Sequence, residues 1–371
     1  MEQIVDLLQQ HKQFIIAGHV GPDEDTIGSC FALAMALGKL GKEAVVVLES
    51  YAERHKIIPG WEYLYRNASP QRPYVFVAMD CADVERLGPA RGFFKKAKTT
   101  ICIDHHETNE GFADYNYIDP EASSTSEMVF GIVKSLVEMD TDIAAALYAG
   151  IVADTGGFKY VSTSRSTMEI AARLMGTGIP FTEIYSEVMH RHSFAGAKAF
   201  GLALEVSKQA MDGRIVYAYM TKEMLAAVGA DSSDLDNIVE YLRDTRGADV
   251  ALFLYERHQS VKEDVREVDE PLSDEMGTAL LSEEASSSAA EALSANETCA
   301  NGIDAESNVH RKIKVSMRSR GLDIGRIAAS LGGGGHRLAA GCTMVGTMDE
   351  VLRQMLDVLE RELKVLDIER A

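Results

Sequence analysis

The chain has 371 residues, 46% of them hydrophobic, and its formal net charge is −20. This length predicts two domains, each with a sizeable core. The negative charge argues against non-specific binding of duplex DNA, which needs a large excess of lysine and arginine. A small anionic substrate remains compatible with it, because bound divalent cations can supply local positive charge.

The N-terminus, the apolar runs and the cysteines predict a cytoplasmic protein without membrane association. No basic or apolar signal segment opens the chain. The longest apolar runs fall short of the roughly 18 residues that a membrane helix needs. The five cysteines are widely spaced and include no Cys-x-x-Cys pair. That usage is typical of a reduced protein rather than of a disulfide scaffold or a zinc ribbon.

The first part of the chain alternates amphipathic helices with short apolar strands. Continuous apolar strands that alternate with helices are typical of a parallel sheet covered on both faces. We therefore predict an α/β fold, with a mainly parallel sheet flanked by helices in a first domain over residues 1–190. The predicted strands are residues 14–18, 44–48, 74–79 and 99–103, and the predicted helices are 1–11, 27–40, 124–138, 142–152, 164–175 and 184–190.

The composition changes near residue 190, which predicts a linker region at 191–210 and a smaller α/β domain at 211–371. Residues 259–308 interrupt this second domain with a Glu-, Asp-, Ser- and Ala-rich insertion that carries about half of the net negative charge. Such a composition favours a solvated loop. Around it we predict a hairpin from strands 203–210 and 214–220, helices 222–228, 235–245, 324–331 and 348–365, strand 249–255 paired with strand 312–320, and a short strand 342–345.

Acids and imidazoles stand where the predicted strands of the first domain end. His19 follows the first strand, Asp80 the third, and Asp104-His105-His106 the fourth. Ligands of open α/β sheets bind beyond the carboxyl ends of the strands, so these groups should meet at one edge. Clustered acids repel one another unless a metal neutralises them, and mixed carboxylate and imidazole ligands favour manganese. The candidate ligands of two divalent ions are His19, Asp23, Asp25, Asp80, His105 and Asp154.

A glycine run in the second domain is a candidate anion site. Gly332–Gly335 and His336 follow a strand that carries Arg318 and Arg320. Successive glycines let backbone N–H groups approach a phosphate, and nearby cations add charge. The run is neither a Walker A loop nor a Rossmann fingerprint. Taken without the arginines, the four glycines could equally form a turn that binds no ligand.

These residues resemble the DHH phosphoesterase superfamily. The resemblance is carried by His19-x-Gly-Pro-Asp23-x-Asp25, Asp80, Asp104-His105-His106 and Asp154, in that order. The strand with Arg318 and the Gly332–His336 run resembles the companion DHHA1 domain, and the whole arrangement is closest to the nanoRNase and 3′-phosphoadenosine 5′-phosphate phosphatase branch. One departure is Gly21, where the family usually has asparagine.

The resemblance implies a role for each residue. Two Mn²⁺ ions would bind, with Mg²⁺ or Co²⁺ as substitutes, Asp104 would orient a metal ligand, and His106 would face the substrate phosphate. The ligands implied for one ion are His19, Asp23, Asp80 and Asp154, and those for the other are Asp25, Asp80, His105 and Asp154. The groups implied to bind the nucleotide are Arg318, Gly333, Gly334, Gly335 and His336.

The implied function is manganese-dependent hydrolysis of phosphoester bonds by two-metal attack of hydroxide on phosphorus. Its substrates would be short single-stranded oligoribonucleotides, cut to mononucleotides, or 3′-phosphoadenosine 5′-phosphate, converted to AMP, or both. The chain could form a homodimer. The alternatives are a cyclic- or linear-dinucleotide phosphodiesterase, a manganese inorganic pyrophosphatase, and a non-enzymatic nucleotide-binding module with a vestigial metal site.

Overall fold

The protein is described from a computed structural model, which covers residues 1–65, 73–190, 192–235, 237–256 and 311–370. The chain divides into two compact units, Met1–Arg191 and His192–Ala371. The predicted acidic insertion at 259–308 lies outside the described residues.

The first unit contains a five-stranded sheet in which every pairing is parallel, in the order β2-β1-β3-β4-β5. The predicted α/β fold with a parallel sheet flanked by helices is therefore confirmed. The strands are β1 (Gln13–Ala17), β2 (Glu43–Val47), β3 (Val75–Met79), β4 (Thr99–Asp104) and β5 (Tyr115–Ile118). The helices are α1 (Glu2–Gln10), α2 (Glu24–Lys39), α3 (Arg91–Phe94), α4 (Thr125–Leu136), α5 (Thr141–Asp154), α6 (Arg165–Met175) and α7 (Phe181–Met189).

Burial on both faces of this sheet explains the continuous apolar strands. Val75 and Val77 of β3 pack into the core that holds α2 and α5, whereas Phe76 and Ala78 pack into a smaller cluster on the opposite face. Successive strand residues point to opposite faces, so an apolar run without alternation is expected where both faces are covered. Strand β5 escaped prediction because it is an edge strand with half-exposed side chains and no such run.

Helices α2 and α5 pack closely because of a glycine in α2. A Cβ on Gly28 would collide with the carbonyl oxygen of Ala146 in α5. Helix α2 is buried from Glu24 to Leu37, and its first turn carries Asp25. The same helix therefore fills the core and begins at the predicted metal site.

The second unit contains a six-stranded mixed sheet in the order β10-β11-β9-β8-β7-β6. The predicted pairing of the strands on either side of the insertion, β8 and β9, is confirmed, and it is antiparallel. The strands are β6 (Lys208–Ala210), β7 (Ile215–Met220), β8 (Val250–Glu256), β9 (Arg311–Ser319), β10 (Gly334–His336) and β11 (Ala339–Gly346). The helices are α8 (Phe194–Glu205), α9 (Lys222–Val228), α10 (Ile238–Arg243), α11 (Ile324–Ser330) and α12 (Met348–Arg370).

The predicted hairpin that opens this unit is partly wrong. Residues 203–205 complete α8, and the first strand is only residues 208–210, although it does pair with β7. Helix α8 and β6 occupy the predicted linker region at 191–210. Two small side chains of this region, Ala199 and Ala203, are fully buried in the core of this unit.

None of the helices in the described parts of the chain is both long enough and apolar enough to cross a bilayer.

Gly28→Ala should destabilise the first unit. The new methyl group meets a backbone carbonyl that cannot move aside, so overpacking of about 1–3 kcal/mol outweighs the gain of about 1 kcal/mol in helix propensity. Urea unfolding followed by the fluorescence of Trp61, the single tryptophan of the chain, reports on this unit. Gly92→Ala, where a Cβ meets nothing within 4 Å, is the control. Equal midpoints for the two variants would contradict the packing argument.

Candidate metal centre

The sheet order places the candidate site at a topological switch point. Strand β1 lies between β2 and β3, so the chain leaves β1 to one side and later returns on the other. Ligand sites of open α/β sheets form at such a crevice, beyond the carboxyl ends of the strands. His19 follows β1, Asp80 directly follows β3, and Asp104 ends the neighbouring strand β4.

Asp80 lies at the middle of the cluster, with its two oxygens turned toward different imidazoles. Oδ2 is 3.6 Å from Nε2 of His19, and Oδ1 is 3.6 Å from Nε2 of His105 and 3.7 Å from Nδ1 of His106. The backbone of Asp80 is left-handed, with φ of 52°. A non-glycine residue adopts this conformation at a cost, and such strain is common at functional sites.

Two threonine hydroxyls fix the Asp80 carboxylate. Thr26 Oγ1 donates to Oδ2 at 2.6 Å, and Thr125 Oγ1 donates to Oδ1 at 3.1 Å. Each threonine lies in the first turn of a helix, α2 or α4. From sequence, hydroxyls at helix starts are read as caps, so neither threonine was predicted to belong to the site.

All six predicted ligands come together at this edge. His19 Nε2 is 3.9 Å from Asp23 Oδ2, and His105 Nε2 is 3.0 Å from Asp154 Oδ2. The resemblance assigned Asp154 to both ions, and the structure groups it with Asp25 and His105. Three sets have ligand atoms within 4.8 Å of one another: His19, Asp23 and Asp80; Asp25, His105 and Asp154; and Asp80, His105 and His106.

Asp25 is held by the N-terminus of α4 and fits against a glycine of α5. Its oxygens accept hydrogen bonds from the backbone N–H groups of Thr125 at 2.7 Å and Ser126 at 2.9 Å. The positive end of the α4 dipole favours this buried carboxylate. In α5, a Cβ on Gly150 would lie 2.7 Å from Asp25 Oδ1, so only glycine leaves room for it.

The balance of charges in the cluster fits divalent cations. Burial, then Asp154 and Asp80, raise the pKa of Asp25 well above its ordinary value. Burial and the same two neighbours raise the pKa of Asp23 to about 6, although 46% of its side chain is exposed and water partly screens these charges. Acids that resist ionisation show that positive charge is missing, and bound metal ions would supply it.

The imidazoles partly compensate for this missing charge. Burial favours neutral His105, but the hydrogen bond to Asp154 and the nearby carboxylates outweigh it and raise its pKa to about 10. Burial likewise opposes ionisation of Asp80, whereas His106, His105 and His19 lower its pKa to about 2. His105 therefore carries a proton at neutral pH that metal coordination would displace.

Asp104 pairs with the second histidine of the triplet. Its Oδ1 accepts from Nδ1 of His106 at 2.7 Å, whereas His105 Nδ1 lies 3.3 Å from the carbonyl oxygen of Ala122. A carboxylate can only accept here, so Nδ1 of His106 bears the proton. The resemblance implied that Asp104 orients a metal ligand. The observed partner is His106, the residue expected to face the substrate.

Asn109 holds Asp104 in turn, and sequence reasoning missed it. Its Nδ2 donates to Asp104 Oδ2 at 2.7 Å and lies 3.1 Å from the carbonyl oxygen of Cys81, while its Oδ1 accepts from the Gly111 N–H at 2.8 Å. The side chain is buried. A lone asparagine in a loop usually indicates a turn, so only its burial against Asp104 reveals the role.

Gly21, the departure from the family pattern, has a left-handed backbone with φ of +63°. Glycine adopts this region freely, and asparagine is several-fold enriched there. The exchange of one for the other therefore preserves the turn. The Gly21 N–H donates to Glu49 Oε2 at 3.0 Å.

In the second unit, the predicted substrate-binding arginine has a carboxylate partner. Glu240 Oε1 accepts from Arg318 Nε at 2.8 Å and lies 2.7 Å from Nη2, and Nη1 donates to the carbonyl oxygen of Met317. Residue 336 contributes to β10, and the side chain of His336 lies outside the described parts of the chain.

The glycines of this run differ in what requires them. A Cβ on Gly333 would collide with Gly341, and one on Gly335 would lie 2.6 Å from the carbonyl oxygen of Ala339. Both glycines are therefore needed for pairing with β11. A Cβ on Gly332 or on Gly334 would meet nothing within 4 Å. Of these two, Gly334 lies within β10, so its backbone is the open one of that strand.

The sequence matches two protein families in chain order. Residues 13–151 match the DHH family, N-terminal domain, and residues 278–365 match the DHHA1 domain. Together the matches cover more than half of the chain. The chain therefore belongs to the DHH/DHHA1 phosphoesterases, which are enzymes that hydrolyse phosphoester bonds.

Two proteins of similar sequence have the same name, NrnA. The chain is 29% identical over 355 residues to the bifunctional oligoribonuclease and PAP phosphatase NrnA of Thermus thermophilus, covering 94% of this chain and 89% of that protein. It is 24% identical over 269 residues to the protein of the same name from Bacillus subtilis, covering 70% and 83%. A solved structure of an exopolyphosphatase-related protein from Bacteroides fragilis has the same fold, with a TM-score of 0.76, 24% identity and coverage of 99% and 97%.

Binding of Mn²⁺ at pH 7 should release at least one proton, because coordination requires neutral His105. Isothermal titration in two buffers that differ in ionisation enthalpy measures this release, and His105→Ala should reduce it. Affinity should also fall below about pH 6, where Asp23 becomes protonated. Identical heats in both buffers would contradict the assignment.

Asn109→Ala should lower kcat about 10- to 100-fold, the range typical of groups that orient site residues. We expect KM and Mn²⁺ affinity to change little, because Asn109 lies behind Asp104 and is not among the grouped ligands. Asn116→Ala is the matched control, since the Asn116 side chain bonds only to Ala113 among the residues that the structure describes. A fall in Mn²⁺ affinity that matches the fall in kcat would show that Asn109 supports the metal ligands instead.

Proposed function

We propose that this enzyme hydrolyses short oligoribonucleotides to mononucleotides and converts 3′-phosphoadenosine 5′-phosphate to AMP, using two Mn²⁺ ions. The observation that carries the proposal is the position of Asp80. Its two oxygens face separate groups of ligands, one with His19 and Asp23 and the other with His105. A central carboxylate of this kind is the expected bridge in a two-metal hydrolase.

The two ligand groups would hold one ion each. His19 and Asp23 would bind the first, Asp25, His105 and Asp154 the second, and Asp80 both. Divalent ions bound there supply Lewis acidity, a nucleophile at neutral pH and positive charge for the phosphate. The mixture of imidazole and carboxylate ligands supports manganese over magnesium, which prefers oxygen ligands.

His106 would act on the substrate, and Asp104 would position the His106 ring. The Asp104 carboxylate fixes Nδ1 of His106 as the protonated nitrogen, and this sets the orientation of the ring. When Nε2 is protonated as well, His106 can then donate from that nitrogen to a phosphate oxygen or to the leaving group. Asn109 would keep Asp104 in place by the hydrogen bond described above.

The second unit would bind the nucleotide through Arg318, the open backbone at Gly334, and His336. An arginine already oriented by Glu240 is well prepared to meet a phosphate, since little side-chain freedom is lost on binding. The names of the relatives from T. thermophilus and B. subtilis support short RNA and 3′-phosphoadenosine 5′-phosphate as substrates over pyrophosphate. We further propose a cytoplasmic location, which agrees with the free thiols of the described cysteines, Cys30, Cys81, Cys102 and Cys342, and no binding of duplex DNA.

A panel of substrates with Mn²⁺ tests the activity. It comprises a diribonucleotide, a 5-mer RNA, 3′-phosphoadenosine 5′-phosphate, a cyclic dinucleotide and pyrophosphate. We expect mononucleotides from the first two and AMP from the third. Products from the cyclic dinucleotide or pyrophosphate alone would overturn the proposal.

Asp80→Ala and His105→Ala should each abolish Mn²⁺-dependent hydrolysis, with a loss of at least about 10³-fold, because each removes a ligand at the centre of the cluster. Circular dichroism should show that both variants remain folded. Asp83→Ala is the control, because it removes an exposed carboxylate three residues from Asp80 that only caps a turn. Normal turnover by purified Asp80→Ala would exclude the two-metal assignment.

A further inference from the structure

We propose that Lys314 is a second phosphate-binding cation on the second unit, which selects substrates that carry a terminal phosphate besides the phosphoester that is hydrolysed. This inference rests on the proposed function and names its substrate class more narrowly. Short oligonucleotides with a terminal phosphomonoester, and 3′-phosphoadenosine 5′-phosphate, belong to that class.

Strand β9 carries its polar side chains on one face. Ile313, Val315 and Met317 are fully buried on the other face, so Lys314 and Arg318 share the more exposed one. Outward side chains along a strand are spaced about 7 Å apart. Only Ser316 lies between the two cations, which therefore border a short stretch of strand with one hydroxyl.

The register extends this stretch across two neighbouring strands. Ser316 lies opposite Gly341 of β11, and Gly341 lies opposite Gly334 of β10. Residues directly opposite each other share a face of the sheet. This row, defined by Ser316, Gly341 and Gly334, has no side chain larger than a hydroxymethyl group.

The two cations lie on either side of the row. Cε of Lys314 lies 3.7 Å from the position that a Cβ on Gly341 would occupy, so the lysine side chain leans over the row. On the other side, Arg318 lies opposite Ala339, whose side chain is a single methyl group, and 26% of the Arg318 side chain is exposed. A phosphate placed there would meet open backbone between two positive charges.

The charge of a phosphate determines how much it gains from two cations instead of one. Arg318 is already paired with Glu240, so it cannot neutralise a dianion alone. A terminal phosphomonoester carries about 1.5–2 negative charges at neutral pH, whereas an internal phosphodiester carries one. The second cation, Lys314, is therefore worth most to a terminal phosphate.

The test is Lys314→Met in the full chain with Mn²⁺, comparing diadenylate with and without a 5′-phosphate. Loss of one charge-assisted contact should raise KM for the phosphorylated form about tenfold. This fold increase in KM should be at least about fivefold larger than the fold increase in KM for the unphosphorylated form. Lys314→Arg should restore most of the preference, because it keeps the charge.

Lys312→Met is the matched control. Lys312 lies on the same strand and face, and its removal changes the net charge equally, but it lies opposite Val345 rather than beside the glycine row. We expect its KM values within about twofold of the unaltered protein. Equal KM changes in the two variants would mean that only the overall charge of the protein matters, and would overturn the proposal. Equal KM changes for the phosphorylated and unphosphorylated substrates would also overturn it.

Direct binding separates this inference from the proposed activity. If the unaltered protein hydrolyses neither diadenylate, the proposed function fails. Titration of 3′-phosphoadenosine 5′-phosphate into the full chain in EDTA then still reports on Lys314. Weaker binding by Lys314→Met than by Lys312→Met would support the site, and equal or undetectable binding by the unaltered protein and both variants would overturn it.

Discussion

Electrostatic repulsion among clustered carboxylates, two of them buried, is the constraint on which the first unit depends. Asp23, Asp25, Asp80 and Asp154 meet at one edge of an otherwise apolar sheet, and the protein accommodates them with helix starts, threonine hydroxyls and imidazoles. These partners stabilise Asp80 as an anion but leave Asp25 with a raised pKa. The site is therefore preorganised for cations, because the polypeptide holds the ligands together without neutralising them.

Much of the fold was predictable because its signals are local. The apolar runs of β1, β3 and β4 require burial on both faces, and parallel pairing then places His19, Asp80 and Asp104 at one edge. The edge strand β5 and helix α8 were not predicted, because their signals are not local. Their burial depends on neighbours distant in sequence, and small or half-exposed residues give no periodic pattern.

The site was predictable in its ligands but not in their supports. Carboxylates and imidazoles after strands are recognisable by type, whereas Thr26, Thr125 and Asn109 are ordinary capping or turn residues until the fold brings them to Asp80 and Asp104. The glycine run shows the same limit. Sequence indicates an anion loop, but only the packing shows that Gly333 and Gly335 are needed for strand pairing and that Gly334 is open.

Helix α2 has a consequence for how the protein responds to its supply of metal. Asp23 caps its N-terminus, its first turn bears Asp25, and its body is the centre of the larger core. Ions that bind only the folded form stabilise it by mass action, and here that stabilisation acts directly on the element that holds the core together. Cellular metal scarcity would therefore lower the resistance of the first unit to unfolding and proteolysis, and the amount of enzyme would follow the metal available to it.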